Sequence, residues 1–216
     1  MTKMNKRKCV ELRSHTYRLF AGLINQPMSA ATWQQLIQWA KQTGESGFLS
    51  PVQQWIIEHE KLSNDGLMSM AVDFTCLFTG ISQEFGPPPP YEHLYRENIE
   101  PSDCRSAVIQ CYNNYDFKPL DPYNNVSDHI VAELQYMSFL ASQQLQPTDI
   151  FLELNDTLIL RQQSFLQHHL LSWVHSWCNH VESQNNKLKF YSHVISALIC
   201  FLEQDFENLS RDRAPT

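Results

Sequence analysis

Residues 119–140, PLDPYNNVSDHIVAELQYMSFL, decide how the rest of the chain is read. Pro119 and Pro122 do not fit a helix interior, because proline lacks the amide donor and its ring clashes with the preceding turn, and the Asn and Asp residues around them favour turns. Beyond them Ile130, Leu134, Met137 and Ala141 recur at three- and four-residue spacing, which predicts a helix with a buried seam. The ten residues from Asp116 to Asn125 exceed the usual helix-to-helix connection. They divide the chain into an N-terminal helical part at 1–115, a hinge loop at 116–127 and a C-terminal helical part at 128–216. Asn125 is expected to cap the helix, with Asp128 in the Glu position of a capping box. His129 and Glu133, four apart, share a different face and are within reach of each other.

Working outward, the same spacing predicts helices on both sides. Residues 9–25 carry Val10, Tyr17, Phe20 and Ile24 as one stripe, and Pro27 ends it. Ser29 is placed to cap a helix to about Thr43 that buries Trp33, Leu36, Ile37 and Ala40. Pro51 opens a third, since proline is tolerated in a first turn. A turn at Asn64-Asp65-Gly66 separates it from a fourth at 67–79, apolar almost all round and therefore expected at the centre of its bundle. Gly80 closes that helix. Pro87 to Pro90 then predict a short polyproline II arm within 86–96 that presents Tyr91 and Tyr95 at a fixed angle. Pro101 starts a helix to about Tyr115 with Ala107, Val108, Cys111 and Tyr112 inward. After Pro147, a helical region from Asp149 to about Glu182 is expected to break near Arg161-Gln162-Gln163, and a last helix covers 187–207. The fold class is all-α, a bundle of about eight to ten helices.

Composition agrees with that class. Six Gly beside 5 Trp, 8 Tyr and 12 Phe argue against a turn-dense β architecture, and 43% hydrophobic residues argue against disorder. A formal net charge of −7 disfavours nucleic acid, which requires a basic stripe, and favours a cationic partner. The six cysteines contain no Cys-x-x-Cys pair and are expected as buried thiols in a reducing compartment. The basic N-terminus lacks the apolar centre of a signal peptide, and no run approaches the ~20 apolar residues of a membrane span. A cytoplasmic location without stable membrane insertion is expected.

Chemistry finds little support in the pattern. Among the nine histidines, His168, His169, His175 and His180 lie close in sequence, but none of these pairs has the i, i+4 spacing of a one-helix metal site. His169 and Trp173 read as a pair fastening their helix to a neighbour. Asp128-His129 stands in the reverse order to the His-Asp pair of metal phosphohydrolases, which remains an alternative reading. A purely structural helical adaptor is another, in which the pair only caps a helix and satisfies a carbonyl. There is no Gly-x-Ser-x-Gly, P-loop or Gly-x-Gly-x-x-Gly. No catalytic residue, metal or cofactor is assigned.

Four motifs in order, Asp73-Phe74-Thr75-Cys76-Leu77-Phe78, Pro89-Pro90-Tyr91-Glu92-His93-Leu94-Tyr95, Asp128-His129 and His169-Leu170-Leu171-Ser172-Trp173, resemble the TorD/DmsD/NarJ family of redox-enzyme maturation chaperones, nearer its TorD and DmsD branch. The resemblance implies an all-helical, two-part, TorD-like fold, monomeric or a domain-swapped dimer. It implies a non-enzymatic chaperone that binds the twin-arginine signal peptide and apo catalytic subunit of a molybdopterin oxidoreductase of DMSO/TMAO reductase type. In that family the Asp-His pair is implicated in leader recognition, here Asp128 and His129, with the Pro-Tyr-Glu segment beside it. A receptor for two arginines and an apolar segment needs carboxylates beside an aromatic rim. Glu92, Asp121, Asp128 and Glu133 are the expected carboxylates, and Tyr91, Tyr95 and Tyr123 the expected rim.

Overall fold

The computed structural model describes residues 3–43, 47–80, 86–120, 127–146, 151–184 and 188–212. Its helices are α1 (Lys3–Asn25), α2 (Ala30–Gln42), α3 (Ser50–Glu58), α4 (Asn64–Phe78), α5 (Glu92–Tyr95), α6 (Pro101–Asn113), α7 (Ile130–Gln143), α8 (Phe151–Phe165), α9 (Leu171–Glu182) and α10 (Phe190–Asp212). A single 3-10 turn precedes α3 among the described residues, and a π turn, Leu166–Leu170, joins α8 to α9. Strand pairing among them is limited to an isolated antiparallel bridge between Tyr91 and His129. The all-α expectation holds.

Residues distant in sequence assemble into two compact units. One comprises 1–22, 90–174 and 202–216; the other comprises 23–89 and 175–201. The hinge expected at 116–127 is described only in part, because 121–126 lie outside the described residues. α6 and α7, on either side of it, belong to the same unit.

The first unit is built on α7. Ile130, Val131, Ala132, Leu134, Tyr136, Met137, Leu140 and Ala141 are all buried, so its burial extends well beyond the predicted seam. In α4 only Met70, Asp73, Phe74, Leu77 and Phe78 are buried, while Met68 is 67% exposed and Val72 54%, because those two lie on the opposite face. Arg13 of α1 donates to Asp205 of α10 and, at 2.8 Å, to Gln162 of α8, and Tyr17 donates to the same carboxylate at 2.6 Å. Asp205 is 2% exposed, so this network ties three helices through one buried charge.

The second unit has an aromatic core. Trp33 packs edge-on against Trp55 at 6.0 Å and against Phe190 at 6.2 Å, and Phe78 against Tyr191 at 5.1 Å. Ser29 caps α2 as expected, accepting from the Thr32 amide. Asn64-Asp65-Gly66 form the first turn of α4 and not a separate turn, because Ser63 caps it by accepting from the Gly66 amide. Gly80 follows α4 with φ +63°, the left-handed conformation that glycine adopts without cost.

Candidate functional site

Two helix starts cap each other. Proline has no amide to donate, so the arm Pro87–Pro90 offers only carbonyls, and the first amides of any helix lack intrahelical partners. The Pro90 carbonyl accepts from the Ile130 amide, the first of α7, at 2.9 Å. In return the Asp128 carbonyl accepts from the Glu92 amide, the first of α5, at 2.8 Å. The Asp128 carboxylate accepts from the His93 amide at 3.3 Å and is in close contact with His93 Nδ1. Between these bonds Tyr91 and His129 meet edge-on, ring centroids 5.0 Å apart. Tyr112, buried on α6, fixes the approach by donating to the Ser127 carbonyl at 2.7 Å.

The N-cap of α7 is His129, whose Nδ1 accepts from the Val131 amide at 3.1 Å. The helix therefore starts at Ile130, with His129 in the cap position expected of Asn125. Asn125 itself lies outside the described residues. Burial holds the His129 imidazole down at about 3, so the cap is neutral.

The three described carboxylates are all fully buried and already engaged. Glu92 pairs with Arg96 at 2.6 Å and with His169 Nδ1 at 2.9 Å, while Arg96 also donates to the His168 carbonyl at 3.0 Å. Glu133 accepts from Trp173 Nε1 at 3.2 Å. Burial, and after it the charge of Glu92, raise the Glu133 carboxyl well above the usual range. His129 and Glu133 thus face separate partners. Asp128 Oδ1 is buried with no hydrogen-bond partner among the described residues.

Of the expected rim, Tyr95 is buried and stacked on Trp173 at 5.8 Å, while Tyr91 is partly exposed; the end of the arm, 90–96, is laid down within the first unit. Asp121 and Tyr123 lie outside the described residues. The structure brings in four side chains not expected from the sequence at this site: His93, Arg96, His169 and Trp173. Arg96 was readable as an i, i+4 partner of Glu92. His169 and Trp173 do fasten their helix, but to two different carboxylates. The helical region breaks at 166–170 and not at 161–163. That π turn carries His169 to Glu92, and π turns recur at functional positions. The cysteines are less uniform than expected: Cys9 and Cys200 are exposed, Cys76 and Cys111 partly so, and Cys104 and Cys178 buried. Among the described residues no group of three or more His, Cys, Asp and Glu side chains is placed to hold a metal ion.

An all-helical protein in which a proline arm is latched to the head of a buried helix defines the class. Residues 25–179, well over half of the chain, match the nitrate reductase delta subunit family, and the chain belongs to that family, the TorD/NarJ group its motifs resemble. It is 25% identical over 150 residues to the Chaperone protein TorD of Photobacterium profundum, covering 67% of this chain and 66% of the relative. It is 24% identical over 116 residues to the Chaperone protein TorD of Actinobacillus pleuropneumoniae serotype 3, covering 54% and 52%. The chain thus spans between half and two thirds of these curated relatives. No solved structure matches it. None of the described helices is long and apolar enough to cross a membrane.

Proposed function

We propose that the chain is a cytoplasmic chaperone, without enzymatic activity, for a molybdopterin oxidoreductase of DMSO/TMAO reductase type used in anaerobic respiration. It holds the twin-arginine leader and apo catalytic subunit until the cofactor is inserted. The family match and relatives named as chaperones support the class. The observation that carries the site is the mutual capping of arm and α7, which gathers Glu92, Asp128 and Glu133 under a segment held by two backbone hydrogen bonds.

In this reading the leader first meets the exposed edge of the latch, Tyr91 and Leu94. Its arginines reach Asp128 and Glu92 when the two backbone bonds open, and a guanidinium then satisfies the Asp128 oxygen that lacks a partner. Asp121 and Tyr123 are further proposed contacts of the leader, and 116–127 the proposed hinge. A monomer and a domain-swapped dimer are both compatible with such a hinge. The metal phosphohydrolase reading is disfavoured by geometry, because Asp128 is engaged by His93 while His129 Nδ1 caps α7.

Calorimetry with a twin-arginine leader peptide, and with the same peptide carrying two lysines in place of the arginines, tests the proposal. Native protein is expected to bind the first more tightly, since lysine lacks the bidentate fork. Asp128→Asn is expected to weaken that preference. No binding of either peptide would leave the structural adaptor.

A further inference from the structure

α6 carries two cysteines, two turns apart, in contrasting surroundings. Cys104 is buried, and desolvation followed by the charge of Glu92 pushes its thiol up to about 12. Cys111 is partly exposed, and its sulfur lies 3.7 Å from His169 Nε2. The other nitrogen of that ring, Nδ1, is 2.9 Å from Glu92 Oε2. His169 is 6% exposed and Glu92 0%, so the imidazole and its carboxylate face the thiol from inside the unit. A carboxylate accepting from Nδ1 orients the ring so that Nε2 is the atom that faces sulfur. Phe165, stacked on His169 at 4.7 Å, holds the ring plane, and the π turn sets its position. Burial acts to lower the His169 imidazole, but its hydrogen bonds to Cys111 and Glu92 outweigh this and raise it to about 9. The ring therefore stands against the Cys111 sulfur as an imidazolium at neutral pH.

A nucleophile against a histidine whose far side is oriented by a third group is the arrangement that activates cysteine and serine nucleophiles. We propose that Cys111, with the His169 ring against its sulfur and Glu92 as the positioning carboxylate, is a reactive-thiol site, oxidised by peroxides and alkylated by small electrophiles. In the oxidation the Cys111 sulfur gives up its proton to solvent beside the His169 imidazolium and attacks one peroxide oxygen. The S–O bond forms as the O–O bond breaks, sulfur is oxidised to the sulfenic acid, and peroxide is reduced. The departing hydroxide takes the proton from Nε2 and leaves as water, and the ring takes a proton back from solvent. The product is a modified chain and not a turnover, and sulfenic acids are returned to thiols by other thiols. The site shares Glu92 with the arm but does not rest on the leader-binding reading.

Each molecule contains its own controls. Cys9 and Cys200 are exposed thiols, and Cys104 and Cys178 are buried and report unfolding if they react. The test measures iodoacetamide alkylation at each cysteine at pH 7 by peptide mass spectrometry, with dimedone trapping after hydrogen peroxide in parallel. Cys111 is expected to react roughly tenfold faster than Cys9 or Cys200, because an ordinary thiol is only a few per cent thiolate at this pH. Dimedone is expected to mark Cys111 first. His169→Gln is expected to bring Cys111 to the rate of Cys9 or below while Cys104 and Cys178 stay unreactive. Glu92→Gln is expected to lower the Cys111 rate, and Glu92→Asp to retain most of it. A native Cys111 no faster than Cys9 and Cys200 overturns the proposal without any variant. So does an unchanged Cys111 preference in His169→Gln.

Discussion

His129 and Glu133 sit one turn apart at the head of α7, and burial acts on their charges with opposite consequences for stability. The folded His129 stays neutral down to about 3, whereas an unfolded histidine takes a proton near 6.5. Its contribution is therefore fully present above about pH 6.5 and is lost as pH falls from there toward 3, by up to about 1.4 kcal/mol per pH unit. His129→Asn keeps a capping side chain without a titrating one. Urea unfolding across pH 4 to 7 is expected to show a shallower acid limb for this variant; an unchanged limb would place the acid loss elsewhere. Glu133 works the other way. The folded acid keeps its proton above the unfolded value, so stability falls as pH rises past about 4.5, and His169, raised to about 9, adds a further fall between about 6.5 and 9. Glu133→Gln is expected to unfold at higher urea concentration than native protein at pH 8 and to differ little at pH 4. Equal alkaline slopes in the two proteins would contradict a raised Glu133 carboxyl. The sequence marked His129 and Glu133 as important but paired them with each other. Their actual partners, Val131 and Trp173, depend on where α7 starts and on a residue 40 positions away, which no local spacing reveals.

Among elements, local signals transferred well and long-range ones did not. The cap of α2 was legible because Ser29 and Thr32 are three residues apart and need nothing else. The start of α7 was not, because its first amide is satisfied by Pro90, 40 residues earlier. Four prolines announce a rigid arm, but rigidity does not say whether an arm projects or lies down, and here the mutual caps hold its end down. The α1, α8 and α10 junction gives a direct test. Arg13→Ala leaves the buried Asp205 carboxylate without its cation and is expected to cost about 3–5 kcal/mol, measured by urea unfolding. A loss below about 1 kcal/mol, the range of an exposed ion pair, would show that the pair is solvated. In the second unit, a Cβ at Gly80 would lie 2.5 Å from Pro89 Cδ, at φ +63°. Gly80→Ala is accordingly expected to lower the thermal midpoint by more than a typical surface substitution, and an unchanged midpoint would mean that the start of the arm relaxes freely.

At the scale of the whole molecule, family membership accounts for the all-helical architecture, and in the proposed function the latch is the place that holds an extended peptide. There, acidic groups gathered beneath a short segment fixed by two backbone bonds would give a cationic leader both its attraction and its obstacle. In that proposal the net charge of −7 draws the leader toward the chain, whereas the internal pairing of Glu92 and Asp128 means that tight binding requires a local opening. Amide hydrogen exchange of the intact protein, with and without a saturating twin-arginine leader peptide, tests this most directly. The account predicts that the peptide changes exchange at 90–96 and 127–133, with the Glu92 and Ile130 amides among those affected. Peptide binding that leaves both segments unchanged and alters exchange only within 23–80 would contradict it.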